Sequence, residues 1–274
     1  MLQLGAIDYQ TGLRLQERLV QLRKDGRIGD VLLLLEHTPV ITLGRNARAS
    51  NVLGSPESLA ERGVEVFECD RGGDVTFHGP GQLVGYPIFD LRGFPSTEAR
   101  RKTLGAEDYV RRLEEVLIRT CADFDILAQR VPALTGVWTT NSHVGTAASG
   151  CAVEQNSTVG STEAKIAAIG VHISRGVTSH GFALNVNTDL DYFNLIVPCG
   201  IVSKPVTSMK KELEREISTQ DVAHSISRNF GVVFQSQMLW LDTLDALLGH
   251  SIGVPMHPPT GLRRLHKEED TFWA

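Results

Sequence analysis

Four short segments carry the side chains that could do covalent or acid–base chemistry. The first is the run 71–82, RGGDVTFHGPGQ, where four glycines and a proline surround Arg71, Asp74, Thr76 and His78. Glycine lets the main chain turn tightly and approach a ligand closely. A structural hairpin corner is the plain alternative. The run has neither the Gly-Lys-Ser/Thr of a P-loop nor the spacing G-x-G-x-x-G, so it is not read as a phosphate cradle. The second segment is Val197-Pro198-Cys199-Gly200-Ile201. A cysteine between proline and glycine sits in a turn, where a thiol can face a pocket and react as its thiolate. An isolated cysteine is more often a small buried hydrophobe. The third is Lys165, ahead of Ile166-Ala167-Ala168-Ile169-Gly170, which alone reads as a solvated strand end. The fourth is His180-Gly181-Phe182-Ala183-Leu184-Asn185, whose small residues can line an acyl chain or simply pack. His180 by itself reads as a hydrogen-bonded structural histidine.

These segments must be positioned by the elements around them. Leucines spaced among Arg, Gln and Glu predict a helix over 11–24, and 104–121 gives a second apolar helical face. Short apolar runs predict strands at 31–35, 40–43, 64–67, 83–89, 136–138, 165–173 and 179–186. Ser55-Pro56-Glu57 reads as a helix start with serine as cap. Residues 220–234 and 238–248 are read as helices and 192–201 as a turn-rich segment. The Ser-, Thr-, Gly- and Ala-rich stretch 139–164 is expected to be a long surface loop. Strands and helices do not alternate regularly, which predicts an α+β fold with mixed or antiparallel sheets.

The chain has 274 residues, enough to bury a core without staples, and 42% of them are hydrophobic. Its formal charge of −5 gives no net basic field, so nucleic acid is not expected as a partner. No apolar run approaches a membrane span, and no secretory signal is visible. Cys69, Cys121, Cys151 and Cys199 form no C-x-x-C pair and no zinc-ligand spacing. They are read as reduced thiols in a cytoplasmic protein, with no metal site.

Taken in order, RGGDVTFHGPGQLVGYPIFDL (71–91), KIAAIGVHISRGVTSHGFALNVNTDL (165–190) and NLIVPCGI (194–201) resemble the octanoyltransferases of lipoate biosynthesis, in the wider biotin/lipoate protein ligase superfamily. PVITLGR (39–45) is similar to that family's early strand, and the resemblance spans roughly residues 5–235. It implies a ligase-type α+β catalytic domain with a larger and a smaller sheet flanked by helices. The domain would cover 1–250, with an insertion at 140–163 longer than the family's usual loop and a loosely ordered tail at 251–274. It implies transfer of an octanoyl group from octanoyl-acyl carrier protein to a lysine of lipoyl domains, those of 2-oxoacid dehydrogenase E2 subunits and the glycine cleavage H protein. No cofactor is implied. Cys199 matches the family's nucleophile and Lys165 its catalytic lysine. Arg71, Gly72, Gly73, Asp74, Val75, Thr76, Phe77 and His78, with Ala168, Ile169, Gly170, Gly181, Phe182 and Ala183, match its substrate-binding segments. Cys151 matches no family role.

The chemistry suits those residues. A thiolate exchanges one thioester for another at little thermodynamic cost, and the acyl-cysteine stays activated for aminolysis. An ammonium beside the thiol favours the thiolate. Once acylation removes that negative charge, the lysine can give up its proton and act as base. Val75, Phe77, Ile169, Phe182 and Ala183 are candidate linings for the acyl chain. Three other readings are weighed. An ATP-using lipoate or biotin ligase on the same fold needs no Cys199. A non-catalytic acyl-binding protein forms no acyl-enzyme. A Cys-His hydrolase releases free acid.

Overall fold

The computed structural model describes residues 1–96, 103–140, 163–198 and 204–249. Strand β2 (Val31–His37) shows how the layers are built. Its run VLLLL is buried throughout, with Leu32 and Leu34 on one face and Val31, Leu33 and Leu35 on the other. A strand with period-two side chains and no polar alternation must be covered on both faces. Each fully buried leucine contributes about 1.5–3 kcal/mol to that arrangement.

β2 lies inside a seven-stranded sheet. In spatial order this is β1 (Leu2–Ile7), β2, β6 (Gln82–Ile88), β10 (Val177–Asn185), β9 (Glu163–Ser174), β8 (Leu134–Thr140) and β7 (Ala128–Val131). Only the β1–β2 pair is parallel. Helices α3 (Ala106–Ala122) and α5 (Thr219–Phe234) cover one face, packing Tyr109, Leu113, Val116, Phe230 and Phe234 over Leu32, Leu34, Ile166, Phe182 and Leu184. Helix α1 (Tyr9–Lys24) places Leu19 and Leu22 on the opposite face, against Leu33, Leu35, Val84 and Ile88. Its N-terminus is capped by Asp8, whose carboxylate accepts from the Thr11 N–H at 2.8 Å. The smaller sheet has three strands, β4 (Glu65–Glu68), β3 (Val40–Leu43) and β5 (Val75–His78), with a separate core of Ile41, Val75, Phe77 and Leu195. Helices α2 (Pro56–Glu61), α4 (Met209–Leu213) and α6 (Leu244–Gly249) are short.

This is the mixed α+β arrangement of a larger and a smaller sheet flanked by helices. Ser55 caps α2 through the Ser58 N–H, and Pro56 is its first helical residue. Two expectations are corrected. Residues 238–243 are not helical. The backbone there runs beside β1, with a Leu2–Leu241 bridge and the Leu241 N–H donating to the Met1 carbonyl, and so covers an otherwise open sheet edge. The ends of the expected loop, Thr139–Thr140 and Glu163–Ala164, are paired strand residues of β8 and β9. β5 emerges from a segment whose glycines mask its period-two pattern. Residues 141–162, Cys151 among them, and the tail beyond 249 lie outside the described residues. Among the described residues, no helix is long and apolar enough to cross a membrane.

Candidate active site

The two sheets meet over a small-residue patch. Ala168 pairs with Ala183 and Gly170 with Gly181 across β9 and β10, so no bulky side chain rises there toward the smaller sheet. Above the patch, the turn before β5 docks onto β9 through the Gly72 N–H, which donates to the Val171 carbonyl at 3.0 Å. A side chain at Gly72 would come within 3.2 Å of that carbonyl, and Gly73 turns at φ +91°. Between the sheets lies a cavity of about 50 Å³. Tyr9, Arg71, Thr76, His78, Tyr86 and His180 supply its polar walls, and Val84, Ala168 and Ala183 its apolar ones.

Of the residues expected at the site, Arg71, Gly72, Gly73, Asp74, Thr76, His78, Ala168, Ile169, Gly170, Gly181, Phe182 and Ala183 all border this cavity. Val75 and Phe77 do not. They alternate to the other face of β5, where Phe77 stacks on Tyr192 at 4.7 Å in the small sheet's own core. Ile169 and Phe182 border the cavity, but their side chains pack into the core beneath α3 and α5. The lining expected of these four aromatic and aliphatic side chains therefore falls to smaller residues.

Each polar wall residue is held by specific partners. The Arg71 guanidinium is buried, donating from Nε to Thr42 Oγ1 at 3.1 Å and from Nη2 to the Thr42 carbonyl at 2.6 Å. Gly44 makes room for it, since a Cβ there would lie 2.8 Å from Nη1. Asp74 staples the entry to β5, accepting from the Arg48 N–H, Asn51 Nδ2 and its neighbour's N–H on Val75. The His78 Nδ1 donates to Gln82 Oε1 at 2.7 Å. Burial pushes its imidazolium down to about 3, helped by the charges of His37 and Arg71. His78 is therefore neutral, with Nε2 as an acceptor.

His180 sits in the left-handed region at φ +54° in the middle of β10. Such strain in a non-glycine residue persists only when neighbours enforce it. Here Gln16 accepts the His180 N–H at 2.7 Å, and Asp70 holds Nε2 at 2.7 Å. Asp70 also faces His172 at 3.2 Å. Burial works against the Asp70 carboxylate, but the hydrogen bond and charge of His180 and the charge of His172 leave it below the usual range.

Lys165 is the third residue of β9 and is 7% exposed. Its N–H donates to the Pro205 carbonyl and its carbonyl accepts from the Thr207 N–H, both at 2.9 Å. It borders a second, smaller cavity that shares Thr76, Ala168 and Ala183 with the first. Pro198 borders the same small cavity. Chain entry to Pro198 is fixed by the Val52–Ile196 bridge and by the Val197 N–H, which donates to the Asn51 carbonyl at 2.7 Å. Cys199 itself lies outside the described residues.

Sequence reading missed Tyr9, Tyr86, Gln82 and Asn185. Gln82 donates to the Phe77 carbonyl and Asn185 Oδ1, and Asn185 in turn donates to the Thr207 carbonyl, linking His78 to the segment paired with Lys165. Gln82 and Asn185 sit in the quoted blocks, but a buried amide network has no sequence periodicity. Tyr9 reaches the cavity only because α1 starts beneath it.

Comparison with known proteins places the chain in a family. The family model of the lipoyl protein ligase A/B catalytic domain matches residues 8–231. An octanoyltransferase of Koribacter versatilis is 56% identical over 269 residues, 98% of this chain and 97% of that protein. One of Acidobacterium capsulatum is 57% identical over 250 residues, covering 90% and 95%. Among solved structures, a lipoate-protein ligase A bound with ATP has a TM-score of 0.64 at 13% identity, covering 92% of each chain. A bipartite lipoate protein ligase of Thermoplasma acidophilum has a TM-score of 0.63 at 16% identity, covering 92% and 89%. At those identities the structures share the fold, while the close and nearly full-length relatives fix the branch. The chain belongs to the lipoyl protein ligase A/B catalytic-domain family and, within it, to the octanoyltransferases.

Proposed function

We propose that this octanoyltransferase takes its acyl group from octanoyl-acyl carrier protein and delivers it to a lysine of lipoyl domains, by way of a thioester on Cys199, in the cytoplasm. The acceptors are the lipoyl domains of 2-oxoacid dehydrogenase E2 subunits and the glycine cleavage H protein. The observation that carries the reading is the shared small cavity: a buried lysine and Pro198, the residue before Cys199, border one space. That space shares Thr76, Ala168 and Ala183 with the lining of the larger cavity between the sheets.

In the first half-reaction the Cys199 thiolate attacks the donor carbonyl. The C–S bond to the carrier breaks, the Lys165 ammonium gives its proton to the departing carrier thiolate, and the acyl group becomes a Cys199 thioester beside a neutral lysine. The Lys165 ammonium favours the attacking thiolate. In the second half the acceptor amine attacks that thioester. Lys165 takes the proton of the attacking nitrogen, and the Cys199 thiolate leaves as the amide forms. Thr76, Ala168 and Ala183 line both cavities, so an acyl chain bound at Cys199 would extend past them toward Tyr9, Tyr86 and His180.

Intact-mass analysis after mixing with octanoyl-acyl carrier protein tests this. One octanoyl adduct is expected, mapped to Cys199, and it should disappear on adding an unmodified lipoyl domain. Cys199→Ala should give no adduct and no transfer while keeping its thermal transition. Substantial transfer by that variant would overturn the covalent route.

A further inference from the structure

Strand β8 is shaped around the head and stem of Lys165. Trp138 is the direct cross-strand partner of Lys165, after a bulge between Val137 and Trp138. The Lys165 Nζ lies 4.8 Å from the centroid of the Trp138 ring. Two residues earlier, Gly136 adopts φ +122°, and a Cβ there would lie 3.2 Å from Lys165 Cε and 2.6 Å from the Ala167 carbonyl. The strand thus clears a path for the lysine stem and lays an indole face beneath its ammonium. A second cation, the Lys204 ammonium, lies 5.7 Å from the same ring, and its charge is met by the Glu163 carboxylate. Trp138 is 1% exposed, and its indole N–H finds no acceptor among the described residues. Buried tryptophans ordinarily satisfy that N–H. What the indole supplies here is its face.

We propose that Trp138 is a positioning residue that holds the Lys165 ammonium by cation–π attraction and aims it into the cavity shared with Pro198. This rests on the reading of Lys165 as the residue that moves the proton. Glu163 offsets Lys204, so the second cation does not drive Lys165 off the ring. An ammonium over a desolvated tryptophan face is strongly held, and a fluorinated ring of the same shape holds it less.

The test is site-specific replacement of Trp138 by mono-, di- and trifluorotryptophan, with kcat and KM measured for octanoyl-acyl carrier protein and an unmodified lipoyl domain. Stepwise fluorination should lower kcat by roughly tenfold in total, with both KM values unchanged. Trp138→Phe should fall between wild type and Trp138→Leu. A flat kcat across the fluorinated series overturns the proposal, and because the ring keeps its shape, misfolding cannot mimic either result. The gradient should persist in Lys204→Met. If it vanishes there, the ring acts on Lys204 and the proposal fails. Lys165→Met separates the two claims. If that variant is inactive while fluorination is silent, only the role of Trp138 falls. If it keeps full activity, the reading of Lys165 falls and takes this proposal with it.

Discussion

Two carbonyl oxygens, on Phe77 and on the Asn185 side chain, take the N–H groups of the Gln82 amide. The Gln82 oxygen must then accept, which puts the proton on His78 Nδ1 and leaves Nε2 as a lone pair. A neutral acceptor histidine can orient an incoming N–H, whereas a buried ammonium can donate and, after discharge, accept a proton. Burial makes His78 a weak base, down at about 3, so the proposed route gives the proton to Lys165, which can be probed by changing the lysine alone. Arginine keeps a positive charge but does not lose its proton in a protein. Lys165→Arg should still form some acyl-enzyme and fail at aminolysis. Intact mass should show the octanoyl adduct accumulating while the lipoyl domain stays unmodified. Transfer at a near-normal rate would mean that the lysine acts only through its charge. Cys121 differs in kind, since burial pushes its thiol up to about 12 within the α3 core and leaves it inert.

At the scale of elements, the β8–β9 pair does two jobs. It carries Trp138 and Lys165, and it closes the large sheet toward β7. Gly136 is where those jobs meet, because its φ of +122° and the nearby Ala167 carbonyl leave no place for a Cβ. Gly136→Ala should cost about 1–3 kcal/mol in urea denaturation. It should also lower kcat more than a destabilisation of that size explains, since the lysine stem is displaced. The segment between the two strands is a different matter. Thr139 already faces Ala164 and Thr140 faces Glu163, so the ends of the connection are side by side whatever its length. Loop closure entropy changes by only about 0.6 kcal/mol per doubling of length. Halving 141–162 should therefore leave the melting temperature within a few degrees. A large drop would show that this segment packs on the domain.

For the molecule as a whole, the buried histidines tie stability to pH. Burial lowers His37 from 6.5 to about 4 and His78 from 6.5 to about 3. Below about 6.5 the unfolded chain binds protons that the folded chain refuses until about 3–4, so stability is full above about pH 6.5 and falls as pH drops from there toward 3–4. Between pH 7 and 5 each residue can account for up to about 2 kcal/mol. Calorimetry should show a lower melting temperature at pH 5 than at pH 7. His78→Gln should be less stable at pH 7 yet lose less on acidification. An unchanged acid loss in that variant would mean that His78 is not the group responsible.

The main strands of both sheets, the helix that Ser55 caps, the α+β class and the blocks that border the cavity were legible in the order of residues alone. These are local matters: period-two burial, a cap three residues from its target, glycines where backbones touch. The sequence also ranked Cys199 and Lys165 above the other cysteines and lysines, through the order of the blocks around them. Which members of those blocks face the cavity was settled by how the two sheets pack. Val75 and Phe77 turn away because Thr76 and His78 take the other face of β5, and a period of two cannot say which face a distant sheet will cover. Trp138, Gln82, Asn185 and Tyr9 gained their roles in the same way. Each is defined by a partner far along the chain or by a distant element: Trp138 by Lys165 across a bulged strand pair, Gln82 by Asn185 on the neighbouring strand, and Tyr9 by the helix start at the cavity.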